Sequence, residues 1–125
     1  MKEHSLAYAV WLLIEYTPFE KIASLSVSGL ARKFGVKPSY LSRSFRKYYF
    51  VTLRDRLEFK KLISFWIVVS YMKNPQVKKA LVIMNIRNTS HFIRRFKKMY
   101  KKTPGQVCRQ QRESNKKYGR QYFKY

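Results

Sequence analysis

A chain of 125 residues can form one compact domain, or two very small domains that share an element. Its 28 lysine and arginine residues face only six acidic ones, so the formal net charge is +22 at pH 7. Hydrophobic residues make up 46% of the chain, which argues against wholesale disorder. A field of one sign this strong favours polyanionic partners, with nucleic acid ahead of an anionic membrane.

Neither a secretion signal nor a membrane span is expected. The apolar stretch near the N-terminus, residues 6–14, lacks a small-residue cleavage site. The most apolar run, residues 62–72, is shorter than the roughly 20 residues that a spanning helix needs. Cys108 is the only cysteine, so no internal disulfide can form, and a single thiol fits a reducing compartment. These features predict a cytoplasmic protein.

The predicted elements are all helices, because no run of alternating residues indicates a strand. Ser26, Thr52 and Thr103 carry side chains that cap helix N-termini. Pro38 and Pro104 favour the first turn of a helix, and Gly35 favours its end. In chain order, these signals and the apolar periodicity predict helices over residues 4–16, 27–34, 38–49, 52–73, 77–84, 89–100 and 105–110. Residues 111–125 have no apolar periodicity and predict a basic, disordered tail.

The residues around Phe45 and Phe96, which lie 51 positions apart, repeat each other. The segment YLSRSFRK at residues 40–47 lies over HFIRRFKK at residues 91–98. A period of this size means that one supersecondary unit was built twice, here as helix, turn and helix. We therefore predict an all-α protein with about seven helices. Its predicted segments are a first helix-turn-helix unit at residues 1–55, a linker helix at 52–73 and a second unit at 74–110.

Each repeated helix has an apolar side and a polar side. Three apolar residues share one side, at about 100° per residue: Leu41, Phe45 and Tyr48 in the first copy, Phe92, Phe96 and Met99 in the second. The polar sides carry Ser39, Ser42, Arg43 and Arg46 in the first copy, and Ser90, Arg94 and Lys97 in the second. Arginine pairs bidentately with guanine and serine bonds several base edges, so these sides are candidate base-contacting surfaces. A solvated face, or contacts with phosphates alone, are the alternatives.

The length of the predicted linker helix suits two recognition helices on one DNA duplex. About 20 residues at 1.5 Å each make a helix of about 30 Å. Successive major grooves on one face of DNA repeat every 34–36 Å or so. A monomer could then bind an asymmetric site on double-stranded DNA. The basic residues near the two helices that are candidates for phosphate contacts are Lys37, Lys47, Arg95, Lys97, Lys98 and Lys102.

Over about residues 6–109, the sequence resembles the DNA-binding region of AraC/XylS-type transcription regulators. The pattern LAxxxG at residues 30–35, followed by residues 40–47, looks like the first unit of that family. Residues 90–104, which read SHFxRxFKKxxxxTP, are similar to its signature segment. Chains of this length without a companion domain are similar to the standalone MarA/SoxS-type members.

The resemblance implies a monomer that places two recognition helices in adjacent major grooves and recruits RNA polymerase. It also implies a bacterial, nucleoid-associated protein with no small-molecule effector domain in this chain. By position, the family's base-contacting residues fall on Ser39, Ser42, Arg43, Thr89, Ser90, Ile93 and Arg94. The glycine that usually follows each recognition helix is Phe50 in one copy and Lys101 in the other, so a left-handed cap there is expected to be strained or absent.

Other functional classes fit less well. An enzyme is not expected, because the acidic residues, His4, His91 and Cys108 show no paired-carboxylate or nucleophile–base spacing. No cofactor is expected either, because nucleotide-binding glycine motifs are absent and two histidines with one cysteine cannot supply a four-ligand zinc site. The main alternative is a sequence-independent nucleic-acid-binding protein, architectural or RNA-binding, with the aromatic tail at residues 118–125 stacking on bases. A membrane-active basic peptide is a third class, but each apolar stripe has a partner in the repeat.

Overall fold

The computed structural model of the chain describes residues 2–119, and this part is all-helical, which confirms the predicted fold class. Seven α-helices and one 3-10 helix occur in these residues, without any strand. They are α1 (Glu3–Tyr16), the 3-10 helix (Phe19–Ser24), α2 (Val27–Lys33), α3 (Pro38–Tyr49), α4 (Leu53–Ser70), α5 (Val77–Ile83), α6 (Thr89–Tyr100) and α7 (Pro104–Tyr118). The 3-10 helix was not predicted, and α4 ends earlier and α7 later than predicted.

Two compact units divide the chain, Met1–Lys61 and Leu62–Tyr125, and the boundary falls inside α4. Helix α4, which covers most of the predicted linker segment at residues 52–73, therefore contributes residues to both units. Leu53 and Leu57 at the start of α4 belong to the core of the first unit. In the described part of the chain, no helix has both the length and the apolar character needed to cross a bilayer.

The first unit packs α1, α2 and α3 around an apolar core. Leu6, Val10 and Ile14 repeat every four residues on α1, so they share one side of the helix, and all three are buried. Leu41 and Phe45 of α3 lie in the same cluster. Burial of one such side chain stabilises the fold by about 1.5–3 kcal/mol. These contacts fix α3 in place with its opposite side in solvent.

The second unit repeats this arrangement with a core of aromatic rings. Phe65 of α4 contacts Phe92 and Phe96 of α6, with ring centroids 5.4 and 5.2 Å apart. Ring pairs in such geometry contribute about 0.5–1.5 kcal/mol beyond the burial of their area. Ala80 and Leu81 of α5 are also buried. The second half of α4 therefore packs against α6 as α1 packs against α3.

A tryptophan–tyrosine pair also recurs in the two copies, and it joins α1 to α3 in the first copy and α4 to α6 in the second. The ring of Trp11 stacks on Tyr49 at a centroid distance of 6.2 Å, and Trp66 meets Tyr100 edge-on at 5.6 Å. Met99, which was predicted on the apolar side of its helix, is 50% exposed, and the neighbouring tyrosine packs there in its place. The repeated unit is therefore three helices, α1–α3 and α4–α6.

The turns after α2 and α5 share a left-handed geometry. Gly35 has a φ of 67° and Asn85 a φ of 56°, which glycine and asparagine adopt most easily. The amide of the following residue then donates to a carbonyl five residues earlier. Val36 donates to Ala31 at 3.0 Å, and Ile86 donates to Leu81 at 2.9 Å. Four residues separate α2 from α3, but five separate α5 from α6. The second turn is therefore one residue longer at the same backbone conformation.

The predicted side-chain caps are confirmed. The hydroxyls of Ser26, Thr52 and Thr103 each accept a hydrogen bond from the amide three residues later, at 3.0, 3.0 and 3.1 Å. Gln106 Oε1 accepts from the Thr103 amide at 2.8 Å, which completes a capping box at the start of α7. Such caps satisfy amide groups that have no partner inside the helix.

Helices α3 and α6 both end on a non-glycine residue in the left-handed region. Phe50 has φ 62° and ψ 12°, and Lys101 has φ 59° and ψ 18°. Their amides donate to the carbonyls of Arg46 at 2.9 Å and Lys97 at 2.8 Å. The left-handed caps are thus present, and a side chain in this conformation costs about 1–2 kcal/mol.

Replacing Phe50 by glycine is expected to raise the free energy of unfolding by about 0.5–1 kcal/mol, because the relieved strain exceeds the added entropy of the unfolded chain. Phe50 is 85% exposed, so the change removes little packing. Gly35→Ala is the opposite control: no atom lies within 4 Å of a Cβ there, so its loss of stability reports the positive φ alone. Urea unfolding measures both, and an unchanged midpoint for Phe50→Gly would mean that the cap is unstrained.

The last helix, α7, continues well past its predicted end, so the predicted disorder of the C-terminal tail is wrong as far as Tyr118. Polar side chains hold this extension to its own unit. Arg112 Nη1 donates to the Pro75 carbonyl at 2.6 Å, and Asn115 Nδ2 donates to the Met72 carbonyl at 3.0 Å. The rest of the predicted tail lies outside the described residues.

Truncation after Gln110 is expected to lower the melting temperature by about 5–10 °C, since it removes half of α7 and hydrogen bonds worth about 1 kcal/mol each. The milder change Asn115→Ala should cost about 1 kcal/mol. Its control is Ser114→Ala, because Ser114 is exposed on the same helix. Thermal unfolding followed by circular dichroism decides the matter. A truncated protein that melts with the full chain would contradict a structural role for the extension.

Candidate nucleic-acid interface

The polar side of α3 lies opposite the buried stripe of the first unit. Ser39, Arg43 and Arg46 are exposed, and Ser42 is half-buried. Spaced at i, i+3, i+4 and i+7, these four side chains form one row along the helix. Within residues 2–119, neither arginine of the row forms an ion pair. The row can therefore donate hydrogen bonds to an external acceptor.

The same row recurs on α6. Ser90, Arg94 and Lys97 are exposed, and Thr89 is exposed at the first helical position. Ile93, which is 37% exposed, stands where the first row has its second serine. Among the described residues, the arginine and lysine of this row also lack an ion pair. An apolar side chain can contact a thymine methyl where a hydroxyl would bond a base edge, so the two rows need not prefer the same bases.

The N-termini of α3 and α6 are capped differently. Lys37 precedes α3, and its side chain forms no capping hydrogen bond. Asn88 precedes α6, and its Oδ1 accepts from the His91 amide at 3.1 Å. The sequence interpretation missed this asparagine cap, although asparagine before a helix is a recognised capping signal. The first turn of α3 therefore keeps more unsatisfied amides, which favour an anion such as phosphate.

The predicted phosphate-contacting residues are mostly on the surface. The exposed ones are Lys37, Lys47, Lys97, Lys98 and Lys102, whereas Arg95 is half-buried and has an interaction partner within the protein. Lys102 Nζ also donates to Gln110 Oε1 at 3.3 Å, a neutral partner that leaves its charge uncompensated. The surface cations can therefore contact phosphates with little structural change.

Among the described residues, Lys47 is the one predicted phosphate-contacting lysine that pairs with a carboxylate. Its Nζ donates to Glu3 Oε2 at 3.3 Å, and Ser44 Oγ donates to the other oxygen of Glu3 at 3.3 Å. The hydrogen bond to Glu3, and then the charge of that carboxylate, raise the pKa of Lys47 above its ordinary value. The ammonium stays charged at neutral pH, but the carboxylate offsets part of its field.

The other acidic residue of α1 pairs with basic side chains on α4. Glu15 Oε2 accepts from Arg56 Nη2 at 2.6 Å, and Lys60 Nζ donates to the Glu15 carbonyl at 3.2 Å. Glu58 pairs with Lys61 at 3.5 Å. These acidic groups are engaged with basic residues of α4, so they do not neutralise the arginines of the α3 row.

Within residues 2–119, the side chains most often used in metal binding do not cluster into a site. Cys108 is buried, and burial raises the pKa of its thiol to about 11, so the thiol is protonated at neutral pH. His91 is exposed near the start of α6. In the described part of the chain, no three side chains of histidine, cysteine, aspartate or glutamate come together as metal ligands. The exposed rows on α3 and α6 are therefore the best candidates for a functional surface.

Comparison with known proteins identifies a structural relative. No protein-family model matches the chain, and no curated protein sequence matches it. The C-terminal domain of the two-component response regulator yesN from Fusobacterium nucleatum has a similar structure, with a TM-score of 0.70 and 21% sequence identity. The similarity covers 83% of this chain and 98% of that domain. The chain therefore shares the fold of a response-regulator C-terminal domain over most of its described length.

Proposed function

We propose that the chain is a sequence-specific regulator of transcription that binds double-stranded DNA, of the AraC/XylS type. The observation that carries this proposal is the duplicated row: two helices of equal length present serine and arginine at matching positions, exposed and without ion pairs in residues 2–119. One such row suits base edges in a major groove, and duplication supplies a second. The fold shared with a response-regulator domain supports a regulatory role.

In this proposal α3 and α6 are recognition helices that enter successive major grooves. Arg43 and Arg94 pair with guanines, because arginine offers two donors in the geometry of guanine O6 and N7. Ser39, Ser42, Arg46, Thr89, Ser90 and Ile93 contact neighbouring bases. Two different rows in one chain would let a monomer read an asymmetric site, whereas a dimer with identical rows needs a palindrome.

Phosphate contacts position the two helices without reading sequence. We assign this role to Lys37, Lys97, Lys98 and Lys102, which are exposed. Lys47 would have to exchange its contact with Glu3 for a phosphate, so we expect it to contribute less. Arg95 is half-buried and already has a partner, so we also rank it low among these contacts.

We also propose a protein partner and a cellular location. A standalone regulator of the MarA/SoxS type recruits RNA polymerase, and we propose the same protein partner here. A DNA-binding protein of a bacterium acts at the nucleoid, in the cytoplasm. Co-purification of the chain with RNA polymerase on promoter DNA, but not on DNA of random sequence, tests this part.

Selection from random-sequence duplexes tests the proposed function. The full chain is mixed with the duplex pool, and the bound fraction is recovered, amplified and sequenced over several rounds. We expect one enriched sequence, with footprint protection along one face over about two helical turns. A pool that keeps its starting composition would indicate sequence-independent binding driven by charge, and would contradict the proposal.

A further inference from the structure

A second basic surface lies on α7, within the second unit. A cleft of about 740 Å³ is bounded by the extended part of this helix and by the residues that follow α4. Among the described residues, its cationic side chains are Lys73, Arg109, Arg112 and Lys116, and Glu113 is the one acidic residue in its lining. None of these cations belongs to the polar rows of α3 and α6.

A neighbouring cleft continues this surface toward the end of α6. It is lined by Lys101 and Lys102, which directly follow α6, and by Arg109. Arg109 lines both clefts, so they are adjacent, and we treat them together as one basic surface. We call it the α7 groove, and its cations are Lys73, Lys101, Lys102, Arg109, Arg112 and Lys116.

Hydrogen bonding holds the two sides of the α7 groove together, but most of its cations have no acidic partner within residues 2–119. The hydrogen bond from Arg112 to the Pro75 carbonyl holds α7 against the opposite wall. Among the described residues, Lys73, Arg109 and Lys116 form no ion pair. Like charges held close together repel and destabilise the compact state unless an external anion compensates them. The arrangement therefore favours binding of an anion.

The lining indicates which anion fits. Among residues 2–119, no aromatic or large apolar side chain lines either cleft. Pockets for small molecules are lined mainly by hydrophobic and aromatic side chains, and protein interfaces depend on buried apolar or aromatic anchors. A chain of phosphates needs neither, because it is bound by spaced cations. Arg109 and Lys116 lie about 10 Å apart along the helix, at 1.5 Å per residue, so they suit separate phosphates of one strand.

We propose that the α7 groove binds consecutive backbone phosphates of the DNA that flanks the recognised sequence. The occupant rests on the proposed function, since the groove begins where the proposed recognition helix α6 ends. The groove adds affinity and salt dependence but no base preference, because phosphates carry no sequence information. It extends the contacted duplex beyond the two major grooves.

Neutral substitutions in the groove test this proposal with a matched control. Arg109→Gln combined with Lys116→Gln removes two groove cations, whereas Lys2→Gln combined with Lys21→Gln removes two exposed lysines of the first unit. Both variants have the same net charge. On a duplex with 10 added base pairs at each end, the groove variant should show a salt slope shallower by about 1.8 than the wild type. The control should keep the wild-type slope.

Flank length and a simple phosphate probe complete the test. Adding the flanks should strengthen binding by the wild type and the control, but not by the groove variant. In the free protein, tripolyphosphate should shift the amide NMR signals of Lys73, Arg109 and Lys116 selectively. Equal slopes for the groove and control variants, no effect of the flanks, or shifts spread over all basic residues would each overturn the proposal.

These outcomes separate the groove from the proposed function. If the chain has no preferred sequence, the proposed function fails, but the flank and salt effects can still be measured on any long duplex. If a preferred sequence is enriched and both double variants respond alike to salt and flanks, the groove proposal fails alone.

Discussion

Raising the salt concentration from 50 to 200 mM is expected to weaken DNA binding by about 10³–10⁵-fold. Each phosphate that the protein neutralises releases condensed counterions, so the log–log slope is about −0.9 per contact. The exposed cations of α3, α6 and the α7 groove provide for about 6 to 10 contacts, which gives a slope between about −5 and −9. Electrostatics therefore supplies most of the non-specific affinity of a chain with a net charge of +22.

Fluorescence anisotropy of a labelled duplex, measured at five or more salt concentrations, gives this slope directly. Lys97→Gln should reduce its magnitude by about 1, because one phosphate contact is lost. Lys21→Gln is the control, since this exposed lysine of the first unit is assigned no contact with DNA. A slope near zero, or an equal change for both substitutions, would contradict the assignment of the phosphate contacts.

Removing either central arginine is expected to cost about 1–3 kcal/mol on the preferred duplex, a loss of about 5- to 150-fold. Arg43→Ala and Arg94→Ala should also relax the preference at particular base pairs, because a bidentate contact with guanine is lost. Both side chains are exposed, so the melting temperature should hardly change. Affinity for a scrambled duplex should fall much less than affinity for the preferred one.

Two controls separate base contact from charge. Lys97→Ala and Lys102→Ala should weaken binding to preferred and scrambled duplexes by the same factor, because phosphates carry no direct sequence information. Arg43→Lys keeps the charge but loses the two-donor fork, so it should lose base preference while the salt slope is retained. If Arg43→Ala and Arg94→Ala reduce the affinity for both duplexes by the same factor, these arginines contact only the DNA backbone.

Much of the fold could be predicted from the sequence because local signals agreed with each other. The matching residues around Phe45 and Phe96 indicated two copies of one unit, and caps such as Ser26 and Thr103 marked helix starts that the structure confirms. The polar rows of α3 and α6 also lie on the exposed sides that the spacing predicts. The base and phosphate contacts assigned to them stay predictions.

Other features depend on interactions that apolar periodicity does not report. The stripe of α7 that faces its own unit begins with buried Val107 and Cys108 and continues with half-buried Gln111 and Asn115. The second half of this stripe uses side-chain amides that bond to each other and to a backbone carbonyl, so apolar periodicity alone predicts too early an end for the helix. The left-handed cap at Phe50 is another such feature. Phe45 of α3 and Leu53 of α4 are buried in one core on either side of this residue, and such tertiary packing can override the local preference for glycine.

Scrambling one half of the preferred duplex at a time tests most directly whether each unit contacts bases. Each scrambled half should cost the wild type at least 10-fold in affinity, since a single mismatched base pair costs about 1–3 kcal/mol. Arg43→Ala should become less sensitive to scrambling of one half only, and Arg94→Ala less sensitive to scrambling of the other. Equal affinity of the wild type for the intact duplex and for both half-scrambled duplexes would contradict base contact by either unit.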